Sequence, residues 1–299
     1  MPARPKWHPR RQGSRADGQA WADALGSEPW SDSAELLKED GDVRVLSTTL
    51  RDRAVVLKFY RHGGPRARVR SRLGMAAADR HWAGAALLAA EEIPCAEMLA
   101  LASRRDGGVR EDCLIMGRLE GQTLLRWLRD VNDGVVPITQ QHAVAQAVGA
   151  QVGCILAAEL HNRDHKPSNL IVRFEGERPT IAVADCQGVK RLEREKSRHT
   201  VRMQASLALE PIGTGVLPRR SLIAMTLATA VASYTARRFG KTRVEDAMAM
   251  GRADRRALLR SLPRGTALAA WPKIAERIAI HGDPTPKVDP LADPQAAKP

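Results

Sequence analysis

The chain has 299 residues, and its 47 Lys and Arg against 34 Asp and Glu give a formal net charge of +13. This length allows one two-lobed domain or two small ones. The charge favours anionic partners, such as phosphorylated ligands, anionic lipid or nucleic acid, although ordinary basic surface composition is the alternative. The four cysteines are scattered without a Cys-x-x-Cys pair, which argues against a zinc site and indicates a reduced, cytoplasmic setting.

The two ends of the chain differ in composition from its middle. Residues 1–31 are rich in Arg, Pro and Gly, and we expect a basic, mostly disordered tail there. Residues 283–299 are Pro-rich without periodicity, and we expect a second disordered tail. The basic N terminus has no apolar run behind it, unlike a secretory signal, and the longest apolar stretch, 222–233, is too short to span a bilayer. We therefore expect any membrane contact to be peripheral.

The first half of the remaining chain has β-type patterning. Short apolar runs separated by turn signals occupy residues 34–61 and predict hairpins. A helical segment at about 73–92 ends before a proline, and strands are predicted at 97–102 and 112–119. The sequence thus predicts a small β-rich N-lobe over residues 32–120.

The second half is mainly helical, from Gly121 onward. A long helix is predicted at about 137–160, because apolar residues recur along one face, namely Ile138, Val144, Val148, Val152 and Ile155. A loop and two strands, "NLIVRF" and "TIAVAD", follow, and then helices at 197–209, 218–236, 252–261 and 268–280. Residues 121–282 are therefore predicted to form a helical C-lobe. The whole of 32–282 is predicted to be an α+β, two-lobed domain with its ligand in the cleft between lobes.

The loop after the long helix, "HNRDHKPSN", contains the residue types that phosphoryl transfer requires. This reaction needs held phosphates, magnesium and an aimed acceptor hydroxyl, with little covalent work by the protein. Asp164 could orient that hydroxyl, Lys166 could reach the transferring phosphate, and Asn169 could offer its amide oxygen to the metal. A polar turn ended by Pro167 is the alternative interpretation of the same residues.

Two residues outside this loop complete the pattern. Asp185 ends an apolar strand 21 residues after Asp164, so a hairpin would bring the two acids together, and a carboxylate suits magnesium. Lys58 lies in the apolar run "RAVVLKFYR", on the same strand face as Val56 and Tyr60. A lysine in such surroundings needs a partner, which a nucleotide phosphate and an acid would provide. A turn-capping Asp and an edge Lys that reaches solvent are the alternatives.

The motifs "NRDHKPSN" and "ADCQG", with "VVLKFYR" upstream, resemble the protein-kinase-like superfamily. Within it, the chain looks most similar to the lipopolysaccharide kinase (Kdo/WaaP) family, over about residues 34–191. The resemblance implies a protein-kinase-like fold with ATP and Mg²⁺ as cofactors. In that fold, Asp164 would be the catalytic base, Lys166 a phosphate contact, Asn169 and Asp185 the magnesium ligands, and Lys58 the anchor of the α- and β-phosphates.

The resemblance also implies an adenine-contacting hinge at 116–121, which includes Met116, Gly117 and Leu119. The chain departs from the kinase pattern at three places. No glycine-rich loop precedes Lys58, since "EDGDVRVL" offers only Gly41, and Asn162 replaces the usual His of the catalytic loop. His81 stands where a helical Glu is expected, so the nearest candidate acid for pairing with Lys58 is Asp79, with Glu91 and Glu92 farther along.

Members of this family phosphorylate sugars of the lipopolysaccharide inner core at the cytoplasmic face of the inner membrane. The hypothesis is therefore an ATP-dependent kinase with an anionic glycolipid or sugar acceptor, cytoplasmic or peripheral on that membrane. A basic run at 190–202 suits such an acceptor, although a solvated helix face is the alternative. Other hypotheses are a kinase for a protein or another small molecule, and an inert pseudokinase-type basic binding module. No specific nucleic acid is expected, because the basic run 61–72 has no interleaved aromatic residues.

Overall fold

The computed structural model describes residues 6–239, except for 14–16, 28, 64–68, 70–73, 107–108 and 193–196. The helices predicted at 252–261 and 268–280, and the tail 283–299, lie outside the described residues. Within the described part of the chain, none of the helices is long and apolar enough to cross a membrane. The described residues divide into two compact units, the first formed by those up to Glu120 together with Ala184–Val189, and the second by Gly121–Val183 and those from Lys190 onward.

The first unit is built on a six-stranded antiparallel sheet with the strand order β1-β5-β6-β4-β3-β2. Its strands are β1 (His8–Gln12), β2 (Glu35–Asp40), β3 (Val43–Leu50), β4 (Arg53–His62), β5 (Met98–Asp106) and β6 (Val109–Gly117). Helix α1 (Gly18–Ser27) and a 3-10 turn (Trp30–Ser33) precede β2, and helix α2 (Ala77–Ala90) lies between β4 and β5. The structure is therefore mixed α+β, as the sequence predicts.

Strand β4 divides the core of this unit between the two faces of the sheet, because successive side chains of a strand point in opposite directions. Leu57 and Phe59 belong to a cluster that includes residues of α1, whereas Tyr60 belongs to a cluster with Ala78 of α2. Lys58 shares the face of Tyr60 and hence the face that α2 covers.

The expectation of disorder for residues 1–31 is wrong for the strand β1 and the helix α1. Strand β1 pairs with β5 at one edge of the sheet, and Trp7 and Trp21 are buried in the core cluster. Composition alone suggested disorder, but burial of large aromatic side chains offsets the entropy of ordering a short segment.

The described part of the second unit contains four α-helices and a three-stranded antiparallel sheet of order β10-β9-β7. Its described elements are β7 (Gln122–Thr123), α3 (Leu124–Asn132), α4 (Ile138–Ala157), β8 (Leu160–Asn162), β9 (Leu170–Glu175), β10 (Arg178–Val183), α5 (Ser197–Gly213) and α6 (Arg220–Phe239), while β11 (Val189–Arg191) begins at the boundary between the units. The predicted long helix and the predicted hairpin correspond to α4 and to β9–β10. Helix α3 was not predicted; its N-cap is Thr123, whose side chain accepts a hydrogen bond from the Arg126 amide.

Two glycines allow α4 and α6 to pack closely. A Cβ atom added at Gly149 would lie 2.3 Å from the carbonyl oxygen of Thr226, and one at Gly153 would lie 2.5 Å from that of Ala230. Both distances are far below van der Waals contact, and the obstacle in each case is rigid helix backbone. The two helices therefore approach each other at a distance that only glycine permits at these positions.

We expect Gly149→Ala and Gly153→Ala each to lower the free energy of unfolding by about 1–3 kcal/mol, the usual effect of overpacking. Urea titration followed by circular dichroism measures this change. Gly213→Ala is the matched control, since a Cβ atom there meets nothing within 4 Å. Equal stability of all three variants would show that the helices do not pack this closely.

Candidate active site

Lys58 and Asp185 form an ion pair in the first unit. The Lys58 Nζ donates a hydrogen bond of 2.8 Å to Asp185 Oδ2, and the two side chains are 11% and 30% exposed. The Nζ also lies 5.6 Å from the centroid of the Tyr60 ring. The sequence indicated that a lysine in this apolar strand needs a partner, which a nucleotide phosphate and an acid would provide, and in the structure the acid beside it is Asp185.

The surroundings of Asp185 keep its carboxylate charged. Burial by itself raises the pKa of Asp185, but the Lys58 ammonium, His81 and a 3.1 Å hydrogen bond from the Gln187 amide lower it, with a net pKa of about 2. At neutral pH the Asp185 carboxylate is therefore ionised. A carboxylate held in this state suits a role in binding a cation.

His81 of α2 is the third member of this cluster and is fully buried. Its Nε2 accepts a 3.3 Å hydrogen bond from the Cys186 amide, which leaves the ring proton on Nδ1, 3.4 Å from Asp185 Oδ1. Burial lowers the pKa of His81 to about 4, with Asp185 raising it and Lys58 lowering it further. The imidazole is thus neutral at pH 7, at the position where the kinase pattern has an acid.

Asp79, the acid that the sequence suggested for Lys58, has a different partner. It lies in the first turn of α2, and its carboxylate accepts hydrogen bonds of 3.1 and 3.2 Å from the Arg10 guanidinium. That assignment is therefore wrong. The sequence could not indicate that Asp79 pairs with Arg10, because Arg10 lies 69 positions away in a segment whose composition predicted disorder.

Gly84 allows helix α2 to approach the segment that follows Asp185. A Cβ atom at Gly84 would lie 2.0 Å from the carbonyl oxygen of Cys186, so no other residue fits without a backbone shift. Gly84 follows His81 by three positions and shares its helix face. The same face of α2 thus contacts residue 186 twice, through the imidazole and through this close backbone approach.

The predicted hinge residues lie at the end of β6 and just beyond it. Met116 is buried and Leu119 is partly buried against the cluster on the α2 face of the sheet. The amide of Gly117 donates to the carbonyl oxygen of Glu97 at 2.9 Å. The contact of this segment with adenine stays a prediction. The β2–β3 connection is a two-residue turn, Gly41–Asp42, rather than a glycine-rich loop.

The loop that contains Asp164 is in the second unit and is held by its own hydrogen bonds. The Asn169 side-chain amide donates to the backbone oxygen of Asp164 at 2.9 Å, and the Asp164 amide donates to Asn162 Oδ1 at 3.1 Å. A 3-10 turn over Pro167–Asn169 then leads into β9. Since the Asn169 Nδ2 is used internally, its amide oxygen is the atom that could bind a cation.

Charged side chains surround Asp164 and Lys166. The Arg163 guanidinium donates to both carboxylate oxygens of Asp164, with the shortest distance 2.9 Å. Lys166 lies 3.2 Å from Glu210 Oε1, and Glu210 also accepts hydrogen bonds from the Ser168 hydroxyl and amide at 2.6 and 2.8 Å. Sequence reasoning missed Glu210 of α5, because nothing in its local pattern distinguishes it from a surface acid.

Three polar residues of the segment 161–169 are buried. His161, Asn162 and His165 are all at most 1% exposed, and the Asn162 side-chain amide lies 3.5 Å from His165 Nδ1. Burial, with a smaller contribution from His161, lowers the pKa of His165 to about 3. His165 is therefore neutral in the folded protein over the physiological pH range.

The residues present fit magnesium better than a transition metal. Within the described part of the chain, no three His, Cys, Asp or Glu side chains converge on a common point. Magnesium needs only one or two protein oxygen ligands, because phosphates and water supply the others. The Asp185 carboxylate and the Asn169 amide oxygen are ligands of that kind.

Comparison with known proteins gives a fold but no sequence family. No protein-family model matches the chain, and no curated protein matches it in sequence. Among solved structures, the chain is similar to WaaP in complex with acyl carrier protein, with a TM-score of 0.51, 15% sequence identity, and coverage of 72% of this chain and 88% of the other. At this identity the comparison shows a fold similar to that of WaaP and nothing finer.

We expect acid to destabilise the protein through His165. The folded pKa of about 3 lies below the usual value of 6.5, so the unfolded chain binds the extra proton as the pH falls from 6.5 towards 3. The cost is about 1.4 kcal/mol per pH unit below 6.5. His165→Asn should therefore lose less stability between pH 7.5 and 5.5 than the wild type, as measured by urea unfolding. The control is His142→Asn, since the His142 side chain is only half-buried. An identical pH dependence of the unfolding free energy in the wild type and both variants would contradict the prediction.

Proposed function

We propose that the protein is an ATP-dependent phosphotransferase. The observation that carries this proposal is the ion pair between Lys58 and Asp185, which is largely shielded from water. A kinase needs a lysine for the nucleotide phosphates and an acid for magnesium, and the fold similarity to WaaP supports assigning these two roles to this pair.

In this proposal each remaining residue has a defined role. Lys58 contacts the α- and β-phosphates, and Asp185 and Asn169 bind the magnesium ion, which neutralises phosphate charge when it is bound.

Asp164 accepts the proton of the acceptor hydroxyl, after that hydroxyl displaces one of the hydrogen bonds from the Arg163 guanidinium. Lys166 contacts the transferring phosphate, and the 3.2 Å ion pair with Glu210 positions the Lys166 side chain. Met116, Gly117 and Leu119 contact the adenine.

The acceptor that we propose is a hydroxyl of a lipopolysaccharide inner-core sugar, phosphorylated at the cytoplasmic face of the inner membrane. Two observations support an anionic glycolipid. The chain has a net charge of +13, and Lys190 and Arg191 are exposed in β11 shortly after Asp185. The complex of WaaP with acyl carrier protein suggests that a carrier protein of this type is a candidate protein partner here.

Two alternative functions are compatible with the same site. A protein or another small molecule as acceptor would use the same residues. An inert pseudokinase-type module is favoured by the two-residue turn in place of a glycine-rich loop and by neutral His81 in place of an acid. Nucleotide binding and phosphate transfer, measured separately, distinguish these alternatives.

The proposal predicts that Mg-ATP stabilises the protein and that Asp185 is required for the magnesium dependence. Ligand at 100 times its dissociation constant adds about 2.7 kcal/mol to the unfolding free energy. Thermal shift with ATP, in magnesium and in EDTA, should show an upward shift that requires magnesium in the wild type and is lost in Asp185→Asn. Asp32→Asn, the same substitution at an exposed acid, should respond like the wild type. No shift in the wild type at millimolar Mg-ATP would favour the inert module.

Asp164→Asn should separate nucleotide binding from transfer. We expect its Mg-ATP thermal shift to equal that of the wild type, while transfer falls about 10²–10⁴-fold, the usual contribution of a general base. Transfer is measured from γ-labelled ATP to lipopolysaccharide core that phosphatase has stripped of phosphate. Wild-type transfer by Asp164→Asn would refute its role as base. Labelling of protein rather than of the stripped core would refute the sugar acceptor.

A further inference from the structure

A buried group of charges lies at the N-terminal end of helix α2. The Asp79 and Asp112 side chains are 1% and 0% exposed, and both accept hydrogen bonds from Arg10, through Nη2 and Nη1 respectively, at 3.1 Å. Buried carboxylates are strongly destabilising unless cations and hydrogen bonds compensate them. Arg10 therefore links three elements at once, namely β1, β6 and α2.

The backbone of β1 is specifically deformed at Arg10. Pro9 pairs with Ala102 and Arg11 pairs with Leu101, so Arg10 is one extra residue between two consecutive partners on β5. Such a bulge redirects a side chain. The Arg10 side chain is 19% exposed, whereas that of Arg11 is 45% exposed. The bulge thus turns one arginine of this short edge strand towards the buried acids.

The two acids differ in how much they depend on Arg10. Asp112 also accepts hydrogen bonds from His62 Nε2 at 2.9 Å and Arg110 Nε at 3.0 Å. Burial raises the pKa of Asp112, but His62, Arg10 and Arg110 together hold it below the ordinary value. Asp79 receives its close hydrogen bonds from Arg10, and Arg11 is more distant at 3.6 Å. Loss of Arg10 therefore affects Asp79 of α2 more than Asp112, because Asp112 keeps its hydrogen bonds from His62 and Arg110.

Helix α2 transmits the position of Asp79 to the Lys58–Asp185 pair. His81, two residues after Asp79, accepts a hydrogen bond from the Cys186 amide, and Gly84 packs closely against the Cys186 carbonyl oxygen. A helix moves as a rigid element over these few residues, so a shift at Asp79 displaces both contacts. Residue 186 is bonded to Asp185, which links this displacement directly to the carboxylate that pairs with Lys58.

We propose that Arg10 is a positioning residue for the Lys58–Asp185 pair, acting through Asp79 and helix α2. Strand β1, at the edge of the sheet, then helps to set the site geometry. The geometric part of this inference stands on the contacts above, and only its consequence for nucleotide binding rests on the proposed function.

The direct test is the chemical reactivity of Lys58. A low dose of an acetylating reagent, followed by mass spectrometry, gives the labelling rate of each lysine. In Arg10→Met we expect Lys58 to be labelled several-fold faster than in the wild type, because Asp185 no longer holds its ammonium in place. Lys38, which is exposed on β2, serves as an internal control and should be unchanged. Arg178→Met, at an exposed position of β10, is the matched control variant.

Arg10→Met removes the guanidinium that two buried acids share, so a milder variant is also needed. Arg10→Lys keeps the charge, but an ammonium cannot reproduce the fork that reaches two carboxylates. It should fold and give an intermediate rise in Lys58 labelling. Asp79→Asn should give a similar rise, since it weakens the same attachment from the other side.

Two results would overturn the proposal. One is an unchanged Lys58 labelling rate in folded Arg10→Lys and Asp79→Asn. The other is an equal rise at Lys58 and Lys38, which would indicate general loosening. For the consequence on function, Mg-ATP affinity should fall about 10-fold in Arg10→Met and remain unchanged in Arg178→Met. A wild type that does not bind Mg-ATP would refute the proposed function, while the Lys58 labelling would still decide the role of Arg10.

Discussion

The ion pair between Lys58 and Asp185 is the interaction on which the site depends. It joins residues 127 positions apart, and both side chains are largely shielded from water. Burying two charges costs more free energy than their attraction returns unless further hydrogen bonds compensate. Here the Gln187 amide supplies one such bond to Asp185. A pair of this kind contributes little to stability compared with apolar side chains, so its presence points to a functional role.

The rest of the first unit holds this pair by local geometry. The alternation of β4 places Lys58 on the face that α2 covers, and the missing side chain of Gly84 lets α2 reach the backbone of Cys186. His81, which is neutral at pH 7, stands there in place of an acid, and the Lys58 ammonium pairs with Asp185. This arrangement explains how the chain keeps a lysine–acid pair although it lacks the helical acid of the kinase pattern.

Local patterns predicted the candidate residues that stand out from the few residues on either side of them in the sequence. Lys58 was recognisable because a lysine interrupts an apolar strand, and Asp185 because an acid ends one. The β9–β10 hairpin and helix α4 followed from periodicity. Asp79 was misassigned, and Arg10, His81 and Glu210 were given no role. Their contacts join residues 42 to 105 positions apart, and a local sequence pattern carries no information about such contacts. For the same reason the ordered β1 and α1 were missed, since their stability comes from packing Trp7 and Trp21 onto distant strands.

The central claim is that Lys58 and Asp185 bind the phosphates and metal of a nucleotide. An acyl phosphate of ATP tests it most directly, because a lysine amine beside bound phosphates attacks the acyl carbon, forms an amide and releases ATP. We predict that the probe labels Lys58 in preference to exposed lysines such as Lys38 and Lys190, and that excess Mg-ATP blocks this labelling. Labelling spread over the exposed lysines, or labelling of Lys58 that Mg-ATP does not reduce, would contradict the claim.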